Sequence, residues 1–152
     1  MLLHYFGSKE ALIAKVMEQV QLRLQSAFRE LAAEPGSRSG HDFLLKFWGA
    51  LAAEANRPLL RLLFEVQMLA LQNPKRYRRY LTRTSVSWRK LIGPILPRGS
   101  GKVATATLYN AVVDGLLLEL LATGDLRRTS QALRIFVAGG RPLAKAKRKP
   151  RS

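Results

Sequence analysis

The sequence predicts an all-α domain of about six helices. Apolar residues recur at three- and four-residue steps through most of the chain, and Pro and Gly fall between those runs. No stretch alternates apolar and polar residues as a half-buried strand does. With 152 residues and 47% hydrophobic content, the chain is long enough for one sizeable core and too short for two.

The first helix is expected over Lys9 to Ala33, where Leu12, Ile13, Val16, Met17, Val20, Leu24, Phe28 and Leu31 keep one face apolar. Ser8 is placed to cap its free amides, and Pro35-Gly36 stops it, leaving 37–40 as a loop. A second helix, from about His41 to Ala55, turns Phe43, Leu44, Phe47, Trp48 and Leu51 inward and has Asp42 near its positive end. Pro58 starts a third; from Leu59 to Leu71 it is apolar almost all round, the pattern of an element surrounded by others. Beyond Pro74, the fourth helix runs from Lys75 to Ile92. It separates Tyr77, Tyr80, Leu81, Thr84, Trp88 and Leu91 from Arg76, Arg79, Arg83 and Lys90. Gly93, Pro94 and Pro97 end it. A fifth helix, Lys102 to Thr123, closes at Gly124, a residue suited to the left-handed cap. The last spans about Leu126 to Ala138, with Leu126, Leu133, Phe136 and Val137 inward.

The net charge is +16, from 26 Lys and Arg against 10 Asp and Glu, which favours polyanionic partners, nucleic acid foremost. An anionic membrane surface would feel the same attraction. The absence of cysteine excludes disulfides, thiolate nucleophiles and cysteine metal sites, and two histidines leave little other metal chemistry, so no cofactor is expected. The start has no basic leader, apolar run or small-residue cleavage site, which fits a cytoplasmic protein. Asn110, Asp114 and Glu119 interrupt the apolar run Leu108 to Ala122, which therefore reads as a buried helix and not as a membrane span. Residues 141–152 hold Arg141, Lys145, Lys147, Arg148, Lys149 and Arg151, with too few apolar residues to order themselves.

Catalytic and phosphate-loop readings fail on residue type. Gly99-Ser100-Gly101-Lys102 has Leu96 and Val103 where a phosphate loop needs Gly and Ser or Thr. His41-Asp42 has no suitably flanked serine, and helix capping accounts for Asp42, so no enzyme is expected. Phe47, Trp48, Phe64, Met68, Trp88, Tyr109 and Asn110 are the candidate lining of an apolar small-molecule pocket with a few polar handles; packing in the core is the competing account of each. Asp114, a carboxylate within an apolar helix, must find a partner or face water. Leu117, Leu118, Leu121, Leu133, Phe136 and Val137 supply more apolar surface than a small monomer readily hides. Together with Asp114 they are the candidate dimer interface.

The segment Leu2-Leu3-His4-Tyr5-Phe6-Gly7-Ser8-Lys9-Glu10-Ala11-Leu12 resembles the end of the DNA-binding domain in the TetR family of bacterial transcriptional regulators. There the recognition helix finishes in an aromatic turn before Ser-Lys-Glu-Ala-Leu. Val112 to Leu118, followed by Gly124-Asp125, looks like that family's penultimate helix. The resemblance implies the end of a helix-turn-helix over 1–8, a ligand-binding and dimerisation domain over 9–140 and a basic tail over 141–152. It implies that His4, Tyr5 and Lys9 contact the DNA backbone; a lysine in a helix's first turn lies near amides that attract phosphate, and Tyr or His can donate to a phosphate oxygen. Phe6 reads as a hydrophobic staple. It further implies a homodimer through the last two helices and repression relieved by a small, partly apolar inducer. The family's first two helices would precede Leu2, so this chain is expected to lack most of the reading head and to bind no operator specifically by itself. Two other classes stay open: a head-less dimerisation module that sequesters partner subunits, and a cationic helical protein that binds nucleic acid or membranes nonspecifically.

Overall fold

The computed structural model describes residues 9–34, 40–96 and 102–139. They form six α-helices: α1 Lys9–Ala33, α2 Gly40–Leu51, α3 Arg57–Gln72, α4 Pro74–Ile92, α5 Lys102–Thr123 and α6 Leu126–Val137. Short 3₁₀ turns at Glu54–Asn56 and Gly93–Ile95 follow α2 and α4. The described residues contain no strand, so the chain is all-α. His4, Tyr5, the Ser8 cap and the basic tail 141–152 lie outside the described residues.

Local chemistry sets most boundaries. Pro58 sits in the first turn of α3 and Pro74 in that of α4, where a missing N–H costs nothing. Gly124, with φ of 71°, takes the left-handed position after α5 and donates its N–H to Leu120 O at 2.8 Å. Asp125 then caps α6, its Oδ1 accepting from Arg128 N at 2.9 Å. The second helix is shorter than its apolar pattern implies. The chain leaves it at Ala52, and Asn56 Nδ2 donates to Ala50 O at 2.7 Å, a bond that satisfies a carbonyl at the helix end.

The main core forms around Phe28 of α1. Its ring meets Phe43 and Phe47 of α2 edge-on at centroid distances of 4.8 and 4.9 Å, and Trp88 of α4 at 6.0 Å. Leu24, Leu60, Leu117, Leu120 and Leu133 carry this core to the remaining helices. A smaller cluster of Met17, Val66, Ala70 and Tyr77 packs the first half of α1 against α3 and α4. Three helices, α1, α3 and α4, therefore take part in both.

Three expectations about burial do not hold. α3 is not surrounded: Leu62, Met68 and Leu71 are exposed, so an all-round apolar pattern here marks a helix with one side open. α5 is not a buried helix either. Only Ala106, Leu117 and Leu120 on it are buried, while Val103, Leu108 and Leu118 are exposed. By length and composition α5 could cross a membrane, but in this fold it packs against α4 and α6. Leu126, expected inward, is exposed at the first position of α6.

Gly40 opens α2 at a point where a Cβ would lie 2.0 Å from Ile95 O. Neither backbone can yield cheaply, so Gly40→Ala should destabilise the fold by about 1–3 kcal/mol, read as a lower denaturant midpoint. Gly49→Ala is the control, because nothing lies within 4 Å of its Cβ; inside a helix it should be neutral or stabilising by about 0.5–1 kcal/mol.

Candidate functional site

Gln21 and Gln25 lie in register with Met17, Leu24 and Phe28, so the inward face of α1 carries two amides, both buried. A buried amide needs partners. Gln21 Oε1 accepts from Trp88 Nε1 at 2.7 Å and its Nε2 donates to Tyr80 Oη at 3.3 Å, while Gln25 Nε2 donates to Ser87 Oγ at 2.8 Å. These bonds fasten α1 to α4.

Between α1, α2, α3, α4 and α5 lies a cavity of about 300 Å³. Leu24, Phe28, Leu44, Leu60, Leu63 and Leu117 supply apolar wall; Gln21, Gln67, Tyr80 and Thr84 supply polar groups. Phe47, Trp88, Tyr109 and Asn110 line it, as the sequence suggests, but Trp48, Phe64 and Met68 do not. Trp48 is buried and donates Nε1 to Ser130 Oγ of α6 at 2.8 Å, so its indole joins α2 to α6. On α3 the cavity face is Leu60, Leu63 and Gln67. Phe64 packs beside it on the main core, and Met68, about 100° round the helix from Gln67, is 51% exposed. The polar wall residues Gln21, Gln67, Tyr80 and Thr84 were missed by sequence reasoning. Their signal was a polar side chain placed in step with inward apolar ones.

The candidate interface residues separate. Leu117 and Leu133 are buried in their own chain and have no surface to give a partner. Leu118 is exposed; Leu121, Phe136 and Val137 are half-buried, with the Phe136 ring edge-on to Tyr109 at 5.0 Å. Asp114 lines the cavity. Its Oδ2 accepts from Asn110 Nδ2 at 2.8 Å, and Oδ1 has no partner among the described residues. Burial pushes its carboxyl up to about 6, the Asn110 hydrogen bond pulling the other way. Burial also raises Tyr109, whose hydroxyl lies 3.2 Å from His41 Nε2 and so links α5 to the start of α2.

A second, more open groove of about 510 Å³ runs along the outer side of α1 and α4, from Ala11 to Gln25 on the one and Arg76 to Ser87 on the other. Its walls carry Lys15, Arg76, Arg79 and Arg83, with Glu18 placed 3.5 Å from Lys15 and 3.9 Å from Arg83. α4 as a whole bears Lys75, Arg76, Arg78, Arg79, Arg83, Arg89 and Lys90 and no acidic residue. Lys9 is exposed at the first position of α1. Among the described residues no cluster of His, Asp and Glu could hold a metal ion. No protein family, curated protein or solved structure matches the chain.

Because the folded carboxyl of Asp114 titrates above its ordinary value of 3.8, the folded state holds that proton more tightly than the unfolded chain. Its ionisation therefore costs nothing at about pH 4 and below, and its full cost is reached above about pH 6. Asp114→Asn keeps the size and removes the charge. It should raise unfolding stability at pH 8 by on the order of 1–3 kcal/mol and change it little at about pH 4, as measured by denaturant midpoints. An equal gain at both pH values would show that the charge is not the source.

Proposed function

We propose that this chain is the ligand-binding and dimerisation part of a TetR-type transcriptional repressor acting in the cytoplasm, whose hold on DNA is released by a small, partly apolar molecule in the cavity. The observation that carries this reading is the course of α1. Its middle walls the cavity with Gln21, Leu24 and Phe28, and its first residue is Lys9, inside the segment that resembles the end of a TetR head. At 25 residues it is a rod about 37 Å long, so a displacement at the cavity reaches its start. A ligand that prefers a wider cavity draws the dimer away from the conformation whose two heads fit successive major grooves. His4, Tyr5 and Lys9 would hold phosphates without reading bases, and the basic face of α4 would add salt-sensitive attraction.

The mechanism needs two copies, and α5 offers a face for the second. Ala104, Leu108, Ala111, Gly115, Leu118 and Ala122 are all exposed, and their steps alternate four and three, the spacing of a seam between helices lying side by side. The small side chains of Ala104, Ala111, Gly115 and Ala122 permit close approach, and Leu108 and Leu118 supply apolar area. None carries charge, so on a chain of net charge +16 this face can meet its own copy without repulsion across the seam. Leu121, Phe136 and Val137 flank it.

Light scattering at micromolar concentration should give twice the mass of one chain. Gly115→Arg, with nothing within 4 Å of its Cβ, should leave helix content unchanged and halve that mass. A wild-type monomer would sink the proposal. Salt-sensitive binding to any duplex, without sequence preference, would then favour the cationic nucleic-acid-binding protein to which the charge of α4 points.

A further inference from the structure

The cavity also carries an argument about what fills it. Among the described residues Asp114 is the one acidic residue in its wall, and one carboxylate oxygen is free to meet a ligand. Three acidic side chains elsewhere do have basic partners: Glu18 has Lys15 and Arg83, while Glu119 and Asp125 share Arg128. On a chain with 26 Lys and Arg, no basic residue among those described pairs with Asp114. A desolvated carboxylate without a counter-charge costs stability, and a cation entering the cavity offsets that cost directly.

The remaining lining fits the same ligand. Phe28, Phe47, Tyr80, Trp88 and Tyr109 bring aromatic rings to a largely apolar wall, and such rings attract a cation as well as an apolar body. Arg89 is the basic residue in the wall among those described, but its Nη1 donates to Ser85 Oγ at 3.0 Å on its own helix, and the perturbation of Asp114 arises from burial and Asn110. Arg89 therefore does not neutralise Asp114. An anionic ligand would have to share the cavity with that carboxylate.

Resting on the reading of this cavity as the inducer site, we propose that the ligand is a lipophilic cation, an amine or quaternary ammonium on an apolar body, with its charge held by the carboxylate of Asp114 and its body among the rings.

The test uses three probes that share a phenylbutyl body and differ in the head group: 4-phenylbutyl-trimethylammonium, 5-phenylpentanol and 5-phenylpentanoate, titrated calorimetrically into the full chain at pH 7.5. The cation should bind at least about tenfold more tightly than either of the others. Asp114→Asn should abolish that preference while the alcohol binds as before, which shows the cavity intact. If the three probes bind wild type alike, if the carboxylate binds best, or if Asp114→Asn keeps the preference, the cation assignment is overturned and the cavity remains a ligand site. If none of the three binds, the inducer-site reading falls with it.

Discussion

Phe28 is where three helices are held at fixed distances. Its ring presents faces and edges to Phe43, Phe47 and Trp88, and aromatic pairs of this kind contribute about 0.5–1.5 kcal/mol each beyond the area they bury. Planar rings at edge-on angles are rigid spacers: they keep α1, α2 and α4 apart by a ring's width and cannot collapse as aliphatic chains do. Phe28 belongs both to this core and to the wall of the cavity, which α3 and α5 help to close.

Much of the fold was legible in the sequence, because Pro, Gly and Asp act through local backbone chemistry. The bounds of α1 and α5 fall where spacing and punctuation put them. Burial was harder to read. A run that is apolar all round says only that every face wants cover, and α3 and α5 both present such runs with one side open. Leu117 and Leu118, neighbours in sequence, are about 100° apart on α5, and one is buried while the other meets solvent. The cavity residues follow the same rule. Trp88 and Asn110 face it, whereas Met68, chosen for residue type, sits on the outer side of α3. Gly40 was not legible at all, since its constraint is the carbonyl of Ile95, more than fifty residues later.

The distribution of charge separates structural from unsettled polar groups. Gln21 and Gln25 are buried but satisfied, and each bond they make contributes on the order of 1 kcal/mol while costing more if left unmade. They specify how α1 sits on α4. Asp114 is different, because its surroundings favour the form without charge, and an amide of the same shape would suit the empty fold better. On the proposed reading, a bound cation offsets that cost.

The same contrast bears on how α1 would move in the proposed regulator. Its second half is fixed by the aromatic contacts of Phe28, but its first half rests on the smaller cluster of Met17, Val66, Ala70 and Tyr77, on Val20 at the edge of the main core and on the bonds from Gln21 to Trp88 and Tyr80. Hydrogen bonds of this kind can be exchanged for bonds to a ligand with little net change, whereas separating packed rings exposes apolar area at about 25 cal/mol per Å². A ligand that competes for Gln21 therefore loosens the first half and leaves the second in place. α1 would pivot near Phe28, and the displacement would be largest at Lys9, the end that a DNA-binding head would share.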